Sequence, residues 1–272
     1  MMNTKRMLAT LGVALLAVVA QRPVMAQERE EAKLIVAAKV LDELRAQRDQ
    51  AIPERLLQRA YGVAVIPAVV KAALIVGGRG GKGVLTVRDS NGRFSSPLFV
   101  NLGGGSVGLQ WGAQETDIVL VFTTRRGIEG IADGKLTLGA GASAAAGPVG
   151  RQAEVAAGVN AEVFAYSRAR GLFAGIALDG TAITIDNKGN RNFYNKRGVL
   201  PSEIMSGAVS SRSENARRFL AALAASTGET AAAAPAAPAS PSSAAGSAPA
   251  TPAGGAVKTF PMEDPAPGKE PR

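Results

Sequence analysis

The chain has 272 residues with 31 Lys and Arg against 22 Asp and Glu, no cysteine and no histidine. Serine or cysteine catalysis activated by histidine is thereby excluded, as are zinc sites of the usual Cys/His kind and disulfide staples. Any folded part must rest on its apolar core, and a basic balance favours anionic partners over acidic ones.

Residues 1–26 read as a bacterial secretory signal peptide. Lys5 and Arg6 precede an apolar run from Met7 to Ala20, and Val24-Met25-Ala26 is a small-residue cleavage site. The uncharged run is shorter than the ~20 residues a spanning helix needs. Cleavage near Ala26 implies a periplasmic or secreted protein. Of the 31 basic residues, three (Lys5, Arg6 and Arg22) leave with the peptide, so 28 face 22 acids. Export argues against nucleic acid as the partner of this positive charge.

Residues 27–225 form the expected globular domain. Gln27 to Gln50 predicts an amphipathic helix, with Leu34, Ala37, Ala38, Leu41 and Leu44 at helical spacing. Two roles are open to that stripe: covering a sheet, or lying in a membrane interface. Ile52-Pro53 ends the helix, and Pro53 can open a second one through Ala60. From Tyr61 the pattern turns to strands: Val63 to Ile66, Ala73 to Val76 and Val84 to Arg88, then a hairpin turn at Asp89-Ser90-Asn91-Gly92. Leu98 to Leu102, Ser106 to Gln110 and Ile118 to Phe122 continue the sheet. A short helix is expected over Thr124 to Ala132 and a strand over Lys135 to Leu138.

Glu162 to Gly180 carries the strongest alternation. Val163, Ala165 and Ser167 fall on one side and Phe164, Tyr166 and Arg168 on the other. Arg170-Gly171 turns the chain into Leu172 to Leu178, and Asp179-Gly180 reads as a hairpin before Thr181 to Ile185. Short helices follow over Ser202 to Ser206 and Ser211 to Ala224, the latter with Ser211 and Glu214 as a capping box. The class expected is α+β: a curved or partly closed, mostly antiparallel sheet with flanking N- and C-terminal helices. Residues 226–272, rich in Ala, Pro, Ser and Gly, offer little to bury and predict a disordered tail.

Three glycine-rich stretches resemble motifs that carry chemistry. Gly104-Gly105-Ser106-Val107-Gly108 fits a nucleophile elbow, but no histidine exists to activate Ser106. Gly103 to Gly108 fits a dinucleotide fingerprint, yet a strand pattern follows it instead of a helix. Gly77 to Gly83 fails the phosphate-loop register. The carboxylates are scattered, so no cofactor or metal is called for. What remains is surface recognition by basic residues placed in or near turns: Lys71, Arg79, Lys82, Arg125, Arg126, Arg168, Arg170, Lys188 and Arg191. Arg can clamp a phosphate through two parallel hydrogen bonds.

Tyr166-Ser-Arg-Ala-Arg-Gly-Leu-Phe-Ala-Gly175, with Gly62 to Pro67, Gly77-Gly78, Gly108-Leu109-Gln110, Gly147-Pro148 and Asn192-Phe193-Tyr194, resembles the SYLF family over roughly residues 32–223. That resemblance implies a non-enzymatic, lipid-binding module related to actin-associated adaptors. Contact with anionic, phosphoinositide-like headgroups would come from an N-terminal amphipathic helix and basic residues. The expected partner is an anionic phospholipid surface; the alternative is an envelope protein or cell-wall scaffold role.

Overall fold

The computed structural model describes residues 26–47, 52–73, 76–89, 91–107, 112–149, 161–169 and 172–228. The expected signal peptide (up to residue 25), Arg170 and the tail from residue 229 lie outside them.

A long helix, α1 (26–46), opens the fold. The short α2 (Glu54–Gln58) follows Pro53. Nine strands then build one sheet: β1 (Gly62–Ala73), β2 (Val76–Val87), β3 (Leu98–Val107), β4 (Gly112–Phe122), β5 (Lys135–Thr137), β6 (Ala144–Ala146), β7 (Val163–Ala169), β8 (Leu172–Gly175) and β9 (Thr181–Ile185). Between them lies α3 (Arg126–Ala132), and α4 (Asn187–Tyr194), α5 (Pro201–Met205) and α6 (Glu214–Ser226) close the fold. The strand order is β5-β9-β3-β2-β1-β4-β7-β6, with β8 on β7. All these pairings are antiparallel except β6–β7. The expected α+β class with a curled, mostly antiparallel sheet and terminal helices is therefore what the chain adopts.

Both faces of the sheet are buried over its first half. On one face, Val63, Val65, Val119, Val121, Phe164 and Tyr166 pack with Leu34, Leu41 and Leu44 of α1 and Phe219 and Leu223 of α6. On the other, Ala64, Ile66, Leu85, Leu120, Val163 and Ala165 meet Ile128 and Ile131 of α3 and Ile204 of α5. The stripe of α1 thus covers the sheet: Leu34, Ala37, Ala38, Leu41 and Leu44 are 0–2% exposed. Each large side chain so buried contributes roughly 1.5–3 kcal/mol. Glu31 of α1 accepts hydrogen bonds from Ser213 Oγ (2.7 Å) and Asn215 Nδ2 (3.0 Å), which ties the two terminal helices together.

Several elements differ from the sequence reading. The three short strands expected over residues 63–88 are two long ones, because the glycines of Gly77 to Gly83 continue β2 instead of interrupting it. Central strand β1 carries one extra residue between Ile66 and Val69 against β4, and its neighbour β2 shows the same offset. Pro67, which has no N–H for the ladder, sits in this bulge, and the N–H of Ala68 (φ 53°) donates instead to Asp117 Oδ1 at 3.0 Å. The bulged strand presses on β2 so closely that a Cβ at Gly83 would lie 2.2 Å from the Val65 carbonyl oxygen. Likewise Leu98 to Leu102 and Ser106 onward are one strand, β3.

Asp179-Gly180 is a turn but not a hairpin, since β8 pairs with β7 while β9 pairs with β3 and β5. The cap of α6 is Ser213, whose side chain accepts from Ala216 N, in place of Ser211. That helix runs through Ser226 and Thr227 is 1% exposed, so the folded part extends past residue 225. Helix α4 has no counterpart in the sequence reading. Asp186 caps it by accepting from Gly189 N. Buried Asn190 locks it to the sheet, accepting from Phe99 N (2.8 Å) and donating to Phe99 O (3.0 Å).

Candidate functional site

Beyond the β1 bulge, Val70, Lys71 and Ala72 are exposed. There Lys71 of β1 stands directly opposite Arg79 of β2. Lys71 is also opposite Gln114 of β4, Arg79 opposite Gly104 of β3, and Gly104 opposite Thr181 of β9. Paired residues of adjacent strands share a face. Thr181, Gly104, Arg79, Lys71 and Gln114 therefore form one row across five strands, on the face that carries Leu85, Leu102 and Ile183 nearer the core. Lys71 and Gln114 are exposed, Arg79 and Gly104 half-buried, and Thr181 is buried. Glu115 is the register partner of Val70 and so points to the opposite face. Among the described residues no carboxylate pairs with Lys71 or Arg79.

The nine basic residues singled out in the sequence do not make one face. Lys71, Arg79, Lys82 and Arg168 lie within strands, not in turns. Lys82 Nζ is 2.6 Å from Asp186 Oδ2, a carboxylate whose side chain is 6% exposed. Burial pushes that carboxyl up. The Lys82 hydrogen bond and the Gly189 N–H outweigh burial and hold it below the usual range. Arg168 Nε donates to Asp117 Oδ2 at 2.7 Å, and its other end pairs with Glu43 of α1. It is 19% exposed and serves as a strut between helix and sheet; burial lowers its pKa. Arg125 pairs with Glu129 at 3.3 Å and Arg126 is exposed, both at the start of α3. Gly62 pairs with Phe122, just before α3, and Lys71 is nine residues further along β1. At ~3.3 Å per residue, Arg125 and Arg126 stand roughly 30 Å from the Lys71–Arg79 pair. Lys188 and Arg191 are exposed on α4.

Three residues of the row are not among the sequence candidates: Gln114, and the pair Gly104 and Thr181. The placement of that pair depends on the β3–β9 pairing, which joins segments far apart in the chain. No local pattern signals it.

Residues 103–226 match the Ysc84 family model, described as a Las17-binding protein actin regulator. The chain is similar to LAS seventeen-binding protein 3 of Saccharomyces cerevisiae, with 38% identity over 166 residues, 59% of this chain and 36% of that protein. It is similar to Protein YSC84 of the same yeast, with 40% identity over 167 residues, 59% of this chain and 35% of that protein. It is also similar to SH3 domain-containing YSC84-like protein 1 of Xenopus laevis, with 36% identity over 186 residues, 65% of this chain and 55% of that protein. The chain thus spans between about a third and about half of the length of these relatives. One of these names describes a binding protein and the family description an actin regulator; none of them names an enzyme.

Proposed function

We propose, from the premise that this chain carries a Ysc84 (SYLF) family domain, that it is a non-enzymatic protein of the bacterial envelope that binds anionic phospholipid headgroups. Secretion rests on the Lys5–Ala26 pattern, with cleavage near Ala26 leaving the protein in the periplasm or outside the cell. One observation carries the binding reading. Lys71 and Arg79 face each other across β1–β2, and like charges so placed repel. No described carboxylate relieves them. An anion that enters the row removes that repulsion, and each basic residue near an anionic bilayer adds about 1 kcal/mol. The apolar stripe of α1 is spent on the core, so the surface contact assigned here is electrostatic.

The test is co-sedimentation of the full chain with phosphatidylglycerol or phosphatidylcholine vesicles. Binding to the anionic vesicles alone, weakening as salt is raised, is expected. Equal recovery with both at low salt refutes the reading. A second reading is a protein-docking or cell-wall scaffold role, favoured by the exposed Ile35 and Val36 on α1 (43% and 44% exposed). The relatives' names point the same way. Retention of a defined envelope protein by the wild type, lost on Val36→Asp, would support it.

A further inference from the structure

We infer that Arg168 is a positioning residue: acting through Asp117, it holds the β1 bulge that turns Lys71 onto the face of Arg79. The consequence at a membrane rests on the anionic-surface reading; the register itself does not. The bulge decides which side Lys71 takes. Before it, Val65 packs in the helix-side core and Ile66 in the core on the other face. Strict alternation from Val65, which pairs with Val84, would put Lys71 on the helix side, opposite Gly78. The extra residue between Ile66 and Val69 reverses this. Val69 joins Ile66 in the second core, and Lys71 stands opposite Arg79 on the face of Leu85. A one-residue slip sends every later side chain to the other face, and bulges are the usual device for re-aiming one.

The bulge is pinned from outside β1. Pro67 has no N–H, and Ala68 has φ 53°, a left-handed conformation that strains an alanine. Neither has a register partner on β2 or β4. The Ala68 N–H donates to Asp117 Oδ1 at 3.0 Å. The other oxygen of that carboxylate, Oδ2, accepts from Arg168 Nε at 2.7 Å and lies 2.7 Å from Nη2. Arg168 also pairs with Glu43 of α1. The guanidinium thus fixes a carboxylate whose second oxygen holds the strained residue. The side chains of Arg168 and Asp117 are 19% and 14% exposed, so water competes little for either. Charge-assisted hydrogen bonds of this kind are the strong ones. The seat of α1 and the side taken by Lys71 are therefore coupled through Glu43, Arg168, Asp117 and Ala68.

The experiment uses the full chain with Arg168→Gln, with Ala68→Gly and with both. Backbone N–H signals and cross-strand proton contacts on β1 and β2 report the register by NMR. In the wild type Lys71 should contact Arg79 across the strands. In Arg168→Gln the signals of Ala68, Val70 and Lys71 should shift or double, with Lys71 contacts to Gly78 appearing, while Val63 to Val65 keep theirs. Glycine takes a positive φ without strain, so Ala68→Gly should hold the bulge without the relay. Arg168→Gln/Ala68→Gly should then regain the wild-type register, even though the lost Glu43 contact keeps its Tm below wild type. An arginine that only braced α1 could not be rescued from β1. Arg168→Lys, which keeps the charge but not the two-point contact, should shift the same signals less, and it serves if Arg168→Gln does not fold.

Unmoved β1 signals in the Arg168 variants overturn the relay, and so does a failure of Ala68→Gly to restore them. Vesicle binding separates this claim from the surface reading. Turning Lys71 away removes one basic residue from the contact, so Arg168→Gln should bind phosphatidylglycerol vesicles roughly fivefold more weakly and the double variant should bind like wild type. If Arg168→Gln changes the register yet binds vesicles unchanged, the relay stands and the Lys71 contact with the membrane falls.

Discussion

Gly147→Ala probes the contact on which the helix-covered core closes. A methyl carbon at residue 147 would lie 2.0 Å from Tyr166 Cζ and 2.3–2.4 Å from its two Cε atoms, on the face of the ring. Carbon atoms rest at about 3.5–4.0 Å, so ring and strand must part by ~1.5 Å or more. Tyr166 has nowhere to go. It is 0% exposed, it sits in the helix-side core, and its hydroxyl donates to the Pro148 carbonyl at 3.2 Å. Behind residue 147 the path is closed as well, since a Cβ at Gly175 would already be 2.1 Å from the Gly147 carbonyl oxygen. Overpacking a tight core costs about 1–3 kcal/mol, and the upper end applies where both sides are fixed. For a domain of this size ~3 kcal/mol lowers Tm by roughly 6–12 °C. Thermal unfolding of wild type, Gly147→Ala, Tyr166→Leu and the double variant forms a cycle. The alanine should cost less once the ring is gone, with a coupling of about 1–3 kcal/mol. A loss under ~0.5 kcal/mol, or strict additivity with Tyr166→Leu, would refute the packing account.

Two further outcomes concern acid and the α4 clasp. Asp186, Asp89 and Glu203 all titrate below their usual values in the folded chain. Their contributions are complete above the unfolded carboxyl range near pH ~4 and are lost as pH falls through the lower folded values. With no histidine or cysteine in the chain, Tm should be nearly level from about pH 6 to 8 and fall below ~4; a step inside the neutral range would contradict this. Asn190→Ala leaves the buried Phe99 N–H without its acceptor at 2.8 Å and takes one of two donors from the Phe99 carbonyl, which keeps the Asp186 N–H at 2.9 Å, and should cost roughly 1–3 kcal/mol in denaturant unfolding. A loss below ~1 kcal/mol would show that α4 is held by Phe193 packing alone.

What the sequence made legible was local. The Leu34 to Leu44 stripe, the Val163 to Arg168 alternation and the turn at Gly92 follow from periodicity and φ preference, and each is where the residues said it would be. What it hid was set by distant partners. The glycines of β2 read as breaks because their cause, the bulge of β1 pressing on Gly83, lies in another strand. Helix α4 is built on Asn and Gly, weak helix formers, and exists because Phe99 and Asp186 hold it. Lys82 and Arg168 looked like free cations. Their carboxylates, Asp186 and Asp117 with Glu43, come from positions far away in the chain. The Lys71–Arg79 pair emerges only when β1 and β2 are seen in register.

That register is tested most directly by comparing two double variants of equal charge change, Lys71→Gln/Arg79→Gln and Arg125→Gln/Arg126→Gln, in phosphatidylglycerol vesicle binding at low salt. At about 1 kcal/mol for each basic residue, the first should bind some tenfold or more weakly than wild type and the second should bind like it. Equal losses in both would mean that net charge alone drives binding and that the row on β1 and β2 is not the contact.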